Sequence, residues 1–539
     1  MNRSNVHLLD LPDEILLIIL KNLNNIDVLY SLLNINDGRL NILAQEYIFS
    51  SILKFVSIDN NSIIDRFCID ILPRIHHNVK CFAFDAVFME RILLATDYPN
   101  LTEVTIFHFE QEIAANYFTN ESSLRSIFQE QITNLTLINN DKNECVAKIY
   151  TENVYVHILA FFKNLKKLSI MKPSVMSYPH LPLCYPPLSL CYLPATSFSS
   201  SILTHLYINV QNLNDCFYVL DGRLKKLTTL CVNVYHMDTF EEIVHNMDEL
   251  LNLKCFSLKS FRSFEQYDTL VLLLRRMSNL EKLTLNISVY DRNRVIDGAN
   301  VQHDILDYMP QLRSFTFYIC TYVGPITSPY KLSSEDIQQT LTNIGLQHVS
   351  SMVNSVRTVL NFVYRVRAAC SIFSLPFKFD YLQNIGNNFP NIVFSYVTYL
   401  LIQDIFPFEH EFFMRIARSF PLLKHLCIRN SESQKLDGLM TFSSDNCQLH
   451  SIIEYPHLTI LDVKASHIDY VEQFLNETKT IVPCLTEFEF LLIEDLKAVT
   501  KDFTRQETRR NCAKVKKLTS MYPVVHSEDL CLYFPSLYE

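Results

Sequence analysis

A short apolar pattern recurs along most of the chain and constrains the fold more than any other feature. The pattern is apolar-x-x-apolar-x-apolar, as in Leu165, Leu168 and Ile170, and a Pro or Asn often precedes it. Its last part alternates between apolar and other residues, which is the period of a strand with one buried face. Thirteen units have their first positions at Val79, Leu101, Ile132, Leu165, Leu203, Leu227, Leu253, Leu280, Leu312, Val397, Leu423, Leu458 and Leu485.

The spacing of these units predicts how they are arranged. Consecutive first positions are 22 to 38 residues apart, with one gap of 85, and most of these spacings are typical of leucine-rich repeats. Segments with helical periodicity lie between the strands, as at residues 240–250. A single unit cannot bury its own apolar face, so neighbouring units must stack. We therefore expect an α/β fold, a curved leucine-rich-repeat solenoid with parallel strands on its concave face and helices outside.

Two segments interrupt the repeat, near residues 173–195 and 324–390. Six of the twenty prolines fall in the first segment, which excludes a helix there and leaves an insertion loop between repeats or a polyproline ligand for a partner domain. The second segment has helical character at Thr327–Asn343 and is rich in Val, Phe, Tyr and Ile at Val356–Leu375. One or two degenerate repeats, or a strand pair packed on the array, would fill it.

The scarcity of glycine excludes several classes of catalytic loop. The chain has seven glycines, and no two lie close together. Dinucleotide-binding loops, phosphate loops and nucleophile elbows all need closely spaced glycines for tight turns or close backbone approach. The fifteen cysteines form no CxxC pair, so the common zinc and redox motifs are absent as well. We expect a protein that is not an enzyme and that carries no cofactor and no metal.

Charge and hydropathy exclude two further classes of partner. The formal net charge is −10, whereas nucleic-acid binding rests on a basic surface, so we expect no nucleic-acid partner. The sequence contains no run of about 18 apolar residues that could span a bilayer, and its first apolar run, Ile15–Leu20, is short and follows acidic residues, unlike a signal peptide. We expect no membrane association and a cytoplasmic or nuclear location.

The N-terminal residues differ from the repeats and predict a separate module at residues 7–50, before the repeat array at 51–520 and a C-terminal tail at 521–539. Asp10, Pro12, Asp13 and Glu14 form a helix-start signal with a capping Asp, because carboxylates favour the positive end of a helix. Six consecutive apolar residues then cover the whole helix circumference. A module of about 40 residues cannot bury both sides by itself. Some of this surface should dock on another protein, or the helix packs against the first repeat.

This module resembles an F-box, whose pattern is a Leu-Pro dipeptide, a Glu, an apolar helix, a break and a second helix beginning Asp-Leu-Leu. The chain departs from the family at residues 36–40, where the family usually has a basic residue and an aromatic. Together with the repeats, the resemblance to F-box proteins with leucine-rich repeats spans nearly the whole chain. The matching residues are Leu11, Pro12, Glu14, Ile15, Ile18, Ile19, Leu23, Asp27, Val28, Leu29 and Leu32.

The resemblance implies a substrate receptor of a cullin-based ubiquitin ligase. In that family the F-box binds a Skp-type linker protein, the linker binds the cullin, and the repeats hold a protein target while a separate enzyme transfers ubiquitin. The matching residues other than Asp27 would then contact the linker. Two alternatives remain: an interaction scaffold unrelated to ubiquitin, in which residues 8–50 cap the first repeat, and an enzyme, which would need a pocket where His, Cys and acidic side chains converge.

Candidates for target binding follow from the expected strand geometry. The third, fifth and seventh positions of each unit flank the inward-facing residues and should point to the concave face. These positions are a mixture of polar and aromatic residues without one dominant charge. Tyr and Arg are residue types that often anchor interfaces, and Lys282 occupies the third position of its unit. The candidates are Tyr207, Lys282, Tyr318, Tyr399 and Arg429.

Overall fold

A computed structural model describes most of the chain: residues 10–33, 38–56, 61–139, 147–170, 187–190, 193–194, 196–236, 248–260, 262–292, 294–324, 333–360, 363–434, 452–524 and 527–538. Most of the proline-rich segment near residues 173–195 lies outside these ranges, as do residues 240–247 of the expected helix before Leu253. The fold is mixed α/β with a large, mostly parallel sheet. The chain forms two compact units, Met1–Phe261 with Arg276–Lys282 (unit 1) and Arg262–Arg275 with Leu283–Glu539 (unit 2).

Unit 1 contains eight strands that neighbour one another in chain order and are all parallel. The strands are β1 (Ile52–Phe55), β2 (Cys81–Asp85), β3 (Glu103–Phe109), β4 (Asn134–Asn139), β5 (Lys167–Ile170), β6 (His205–Asn212), β7 (Thr229–His236) and β8 (Cys255–Ser260). The helices are α1 (Asp13–Leu20), α2 (Asn25–Leu32), α3 (Gly38–Ala44), α4 (Tyr47–Ser50), α5 (Asn61–Arg66), α6 (Leu72–Ile75), α7 (Met89–Leu93), α8 (Gln111–Tyr117), α9 (Ala147–Tyr150), α10 (His157–Phe161) and α11 (Leu213–Val219).

Unit 2 combines antiparallel and parallel strands. Its helices are α12 (Tyr267–Arg275), α13 (Gly298–Asp304), α14 (Ser334–Asn343), α15 (His410–Ser419), α16 (Ile468–Leu475), α17 (Ile493–Thr500), α18 (Arg509–Cys512) and α19 (Glu528–Tyr533). Its strands are β9 (Lys282–Arg292), which begins at the last residue of unit 1, then β10 (Ser314–Val323), β11 (Val349–Leu360), β12 (Val363–Ser374), β13 (Tyr381–Ile385), β14 (Tyr399–Gln403), β15 (His425–Asn430), β16 (Ile453–Glu454), β17 (Ile460–Ser466), β18 (Thr480–Ile481), β19 (Glu487–Glu489) and β20 (Lys517–Thr519).

The apolar pattern predicted the positions of thirteen of the described strands correctly. In each of the thirteen repeats of the apolar pattern, a strand begins two residues after the first apolar position, as β5 does after Leu165. The first apolar residue of each repeat is buried, with the exception of Leu312, whose side chain is half-buried. The alternation continues into the strands: Leu168 and Ile170 are buried, and Ser169 between them is half-buried. Burial of alternate residues against neighbouring elements therefore fixes which face of each strand points inward.

A recurring set of hydrogen bonds joins neighbouring repeats. The carbonyl oxygen of the residue before a strand accepts hydrogen bonds from two consecutive backbone amides of the next repeat, as Lys166 O does from Thr204 and His205. The asparagine just before a repeat also donates to a backbone carbonyl of the preceding repeat, as Asn279 Nδ2 does to Leu251 O at 3.1 Å. Asn100, Asn164 and Asn252 make the equivalent bond. The Asn of the sequence pattern thus satisfies a carbonyl of the preceding unit.

The segment near residues 324–390 contains a strand pair, one of the two expected arrangements. β11 and β12 pair antiparallel over their full lengths, and β12 also pairs antiparallel with β10. β13 then begins a six-stranded parallel sheet in the order β13, β14, β15, β17, β19 and β20. Of the helical segment expected at residues 327–343, the part from Ser334 to Asn343 is present as α14, and residues 327–332 lie outside the described ranges. Among the described residues, none of the helices is both long and apolar enough to cross a membrane.

Candidate functional site

Helix α1 begins where the acidic residues predicted a helix start. Asp13 and Glu14 lie in its first turn, where their negative charge opposes the positive end of the helix. The expectation of a capping Asp10 was wrong in detail. The N-cap residue is Pro12, with no side-chain cap bond, because the helix starts three residues after Asp10. Pro at this position has no amide hydrogen to leave unsatisfied.

One side of α1 is covered by the helices that follow it. Leu16 is 1% exposed and packs in a cluster with Leu40 and Leu43 of α3. Leu11, Leu17 and Leu32 contact the edge of this cluster. The residues after the second helix, where the sequence departs from the F-box pattern, therefore supply a third helix that covers the inner side of the first.

The opposite side of α1 is apolar and uncovered. Ile15, Ile18 and Ile19 on the helix and Leu23 just beyond it are 42%, 58%, 39% and 52% exposed. They are spaced three, one and four residues apart, which places the three isoleucines and Leu23 on one side of a helical turn. We call these four residues the α1 apolar face. A contiguous exposed set of large aliphatic side chains is typical of a surface that binds a partner.

The other expected linker-binding residues divide between surface and interior. Pro12 and Glu14 are exposed, and Leu11 is half-buried. All three residues directly precede the α1 apolar face in the chain. Val28 and Leu29 are fully buried, and Leu32 is half-buried. α2 packs on α3, α4 and β1, so these residues hold the module together, and no partner can reach Val28 or Leu29 in this structure.

An ion pair fixes the start of α1 against α3. Arg39 Nε lies 2.6 Å from Asp13 Oδ1, and its Nη2 donates to the carbonyl oxygen of Leu11 at 2.5 Å. Both side chains are partly exposed, at 40% and 52%, so the pair is screened by solvent. Arg39 lies within residues 36–40, and it holds the Leu-Pro segment against the third helix.

The second candidate surface is a row of side chains across strands β6 to β9. One face of the sheet carries Tyr207, Cys231, Cys255 and Lys282, because each occupies the third or fifth position of its repeat. Tyr207 is directly opposite Cys231, and Cys255 is opposite Thr229, two residues before Cys231. Lys282 is exposed and the other three are half-buried. We call these four residues the unit 1 strand row.

The groups of this row influence one another electrostatically. The Cys231 thiol hydrogen-bonds the Cys255 sulfur, and this bond, together with the Lys282 ammonium, lowers the pKa of Cys255 to about 7 against an opposing effect of burial. The same hydrogen bond, followed by burial, raises the pKa of Cys231. Burial and the two cysteines raise the pKa of Tyr207, whose ring lies 5.4 Å from Lys167 Nζ.

The remaining target-binding candidates lie in unit 2, and two of them are buried. Tyr318 is 2% exposed, and its hydroxyl donates to Gln383 O at 3.2 Å. Tyr399 is 1% exposed, with its ring packed between those of Tyr381 and His425. Both side chains are buried within the unit, so neither presents a side chain to a partner here. Arg429 is half-buried on β15.

Sequence reasoning missed several exposed apolar residues near the α1 apolar face in the chain. They lie on α3, α4 and β1, whose short sequences carry no long periodic signal. Sequence reasoning also missed the two cysteines of the unit 1 strand row, although they occupy a fifth and a third position of their repeats, which predicts the same strand face as Tyr207 and Lys282. The exposed apolar residues are Ile42, Tyr47, Ile48 and Ile52.

No group of three or more His, Cys, Asp or Glu side chains that could hold a metal ion occurs within the described ranges. Comparisons with known proteins add no family to these observations. No family model matches the sequence, and no curated protein matches it either.

Proposed function

We propose that the protein is a substrate-recognition adaptor of a cullin-based ubiquitin ligase. The N-terminal helices dock a Skp-type linker, which in turn binds a cullin, and the repeats bind a protein target. The repeat units form a leucine-rich-repeat solenoid whose strand face receives the target. No residue of the chain performs chemistry in this function, since ubiquitin transfer belongs to a separate enzyme.

The observation that carries the proposal is the uncovered α1 apolar face. Its residues, Ile15, Ile18, Ile19 and Leu23, are the positions that the F-box resemblance assigns to the linker. Burying large aliphatic side chains contributes about 1.5–3 kcal/mol each when the burial is complete. The four side chains are 39–58% exposed, so their burial in a complex contributes only part of that value towards offsetting the entropy lost on association.

Tyr207 and Lys282 are the residues proposed to contact the target in unit 1, and Arg429 has that role in unit 2. Tyr207 is half-buried, and a Tyr combines a polar hydroxyl with a ring that buries apolar area, which is why Tyr anchors many interfaces. Lys282 is exposed on the neighbouring part of the row. The target is thus a protein with a surface that accepts an aromatic ring and a positive charge.

The linker test uses the full chain and a purified Skp-type protein. The double variant Ile15→Asp with Ile19→Asp should weaken linker binding at least about 100-fold, because two carboxylates would have to be desolvated in an apolar interface. Isothermal titration calorimetry measures the affinity. Ile69→Asp is the matched control, since Ile69 is 71% exposed and lies outside the module. An unchanged affinity of the double variant, or a wild-type chain that does not bind, would overturn the proposal.

A second candidate function is an interaction scaffold unrelated to ubiquitin, with residues 8–50 as a cap on the first repeat, held there through β1. The packing of α2 favours it: Val28 and Leu29 are fully buried, and Asn25 Nδ2 donates to Ile52 O of β1 at 3.0 Å. A scaffold would keep its stability and solubility in the Ile15→Asp, Ile19→Asp variant and lose both on deletion of residues 8–50. Under the adaptor function, the deletion leaves a soluble fragment that no longer binds the linker.

A further inference from the structure

A cavity of about 460 Å³ opens in unit 1 beside the end of α10 and the loops that lead into β6 and β7. A cavity of this size is in the range that holds a small organic ligand. None of the described residues that line it belongs to the α1 apolar face or to the unit 1 strand row. The proposed adaptor function therefore leaves this cavity without a role.

The charged side chains that line the cavity are basic. Lys163 and Lys225 are exposed, and Arg223 is 8% exposed. Among the described residues, no Asp or Glu lines the cavity, although the chain as a whole has a net charge of −10. Lys163 follows the C-terminal end of α10, where a cation is favourable without any ligand. The buried Arg223 is therefore the residue that points most strongly to an anionic ligand.

The guanidinium group of Arg223 is held in place and keeps one nitrogen unpaired. Its Nε donates to Asp221 Oδ1 at 3.0 Å, and its Nη2 donates to Asp221 Oδ2 at 2.7 Å. This bidentate pair occupies one side of the planar group and leaves Nη1 on another side. Nη1 is buried and has no hydrogen-bond partner among the described residues. Because a buried donor without an acceptor is unfavourable, an acceptor that reaches Nη1 would stabilise it.

A serine hydroxyl is a second donor at the cavity. Ser200 Oγ accepts hydrogen bonds from the amides of Ile202 at 3.3 Å and Leu203 at 3.1 Å. These two bonds use both lone pairs of the oxygen, so the hydroxyl hydrogen is left to donate, and it has no acceptor within the described part of the chain. The Ser200 amide donates to Arg223 O at 3.1 Å, which fixes this loop beside the arginine.

We propose that this cavity binds a small phosphomonoester, an organic molecule that carries one phosphate group. Such a group has a charge of about −1.5 to −2 at pH 7 and presents three acceptor oxygens, which suits two lysines and two unpaired donors. A carboxylate has a single charge and fewer oxygens. Phe162 and Ile202 also line the cavity and can contact the apolar body of the ligand. Binding here needs neither a linker nor a target, so the site is independent of the proposed adaptor function.

Isothermal titration calorimetry of the full chain tests the site with phenyl phosphate as the probe. Phenyl phosphate should bind with a Kd of about 0.1–1 mM, and benzoate should bind at least about tenfold more weakly because of its lower charge. The double variant Lys163→Gln with Lys225→Gln should weaken phenyl phosphate binding at least about tenfold, and the fold should tolerate it because both lysines are exposed. Lys226→Gln is the matched control, since Lys226 is exposed next to Lys225 and does not line the cavity; it should leave the Kd unchanged.

Arg223→Lys separates the buried donor from its charge. Lysine keeps the positive charge beside Asp221 but has no second nitrogen to replace Nη1, so the affinity for phenyl phosphate should fall roughly fivefold while the circular dichroism spectrum stays the same. If this variant fails to fold, the double lysine variant decides.

Four outcomes would overturn the assignment. The first is a wild-type chain that shows no saturable binding of phenyl phosphate, and the second is an affinity that the double lysine variant or a folded Arg223→Lys variant leaves unchanged. The third is an equal loss in Lys226→Gln, which would indicate non-specific attraction to a basic surface. The fourth is a phosphoserine peptide that binds more tightly than phenyl phosphate, since the ligand would then be a protein segment.

Discussion

Helix α1 and the strands of unit 1 cover their apolar side chains to different extents. In the strands, apolar residues alternate with polar ones, so the apolar set points to one side and neighbouring elements bury it, as at Leu168. In α1, six consecutive apolar residues surround the helix, and α3 can cover only one side. The helix α1 therefore has more apolar residues than α3 can bury, and the uncovered ones form the surface that a partner should cover.

The largest expected effect tests whether burial separates the two regions energetically. Leu168→Ala in β5 should lower the free energy of unfolding by about 2–5 kcal/mol, because it removes buried methyl groups and leaves a cavity. Ile18→Ala in the α1 apolar face should change it by less than about 0.5 kcal/mol, since the side chain is 58% exposed. Urea unfolding of both variants measures the difference.

Ser169→Ala is the matched control in the same strand, because Ser169 is half-buried between two buried residues. It should leave the unfolding midpoint nearly unchanged. Equal losses for Leu168→Ala and Ile18→Ala would show that a further part of the chain covers the α1 apolar face in solution, and the contrast between the two regions would then disappear.

The two regions were not equally predictable from the sequence. The thirteen strands of the apolar pattern could be located to within two residues, because alternation over several residues specifies both the element and its buried face. The start of α1 could be predicted for a similar reason, from acidic residues next to an apolar run. Which side of α1 is covered depends on Leu40 and Leu43, which come after a break and carry no pattern that links them to Leu16.

The candidate binding residues were predicted less well than the strands. A third, fifth or seventh position indicates the face of a strand, but exposure also depends on neighbours that are distant in the sequence. Tyr318 and Tyr399 are buried because residues 371–383 and 425 pack against them. The antiparallel pairing of β10 with β12 could not be predicted either, since the repeat pattern specifies strands and not their direction.

The polar strand positions of unit 2 provide a test of intermediate size. His425 is half-buried, with Tyr399 on one side at 4.3 Å between ring centroids and Lys464 nearby. Burial, followed by the charge of Lys464, lowers the pKa of His425 to about 4. The unfolded chain takes up this proton below about pH 6.5 while the folded chain does not. Stability from this group is therefore complete above about pH 6.5 and is lost as the pH falls towards 4.

His425→Gln should remove this dependence. We expect the wild type to lose about 1–2 kcal/mol more than the variant between pH 7 and pH 5, measured by urea unfolding at both pH values. His457→Gln, at an exposed histidine of the same unit, should behave as the wild type does. An equal pH dependence for His425→Gln and wild type would mean that this strand position is as open to solvent as the α1 apolar face.

The smallest expected effect concerns how α1 is held. If apolar contacts with α3 orient the helix, the solvent-exposed pair of Arg39 and Asp13 contributes little, and Arg39→Ala should lower the free energy of unfolding by no more than about 1 kcal/mol. The loss should shrink in 1 M salt, because dissolved ions weaken ion pairs between solvent-exposed side chains. Leu16→Ala, at the 1% exposed centre of the cluster, is the comparison and should cost about 2–5 kcal/mol. An Arg39→Ala loss as large as that of Leu16→Ala would show that the ion pair and its bond to Leu11 O orient α1. The uncovered apolar face would then depend on charge more than on the packing of its opposite side.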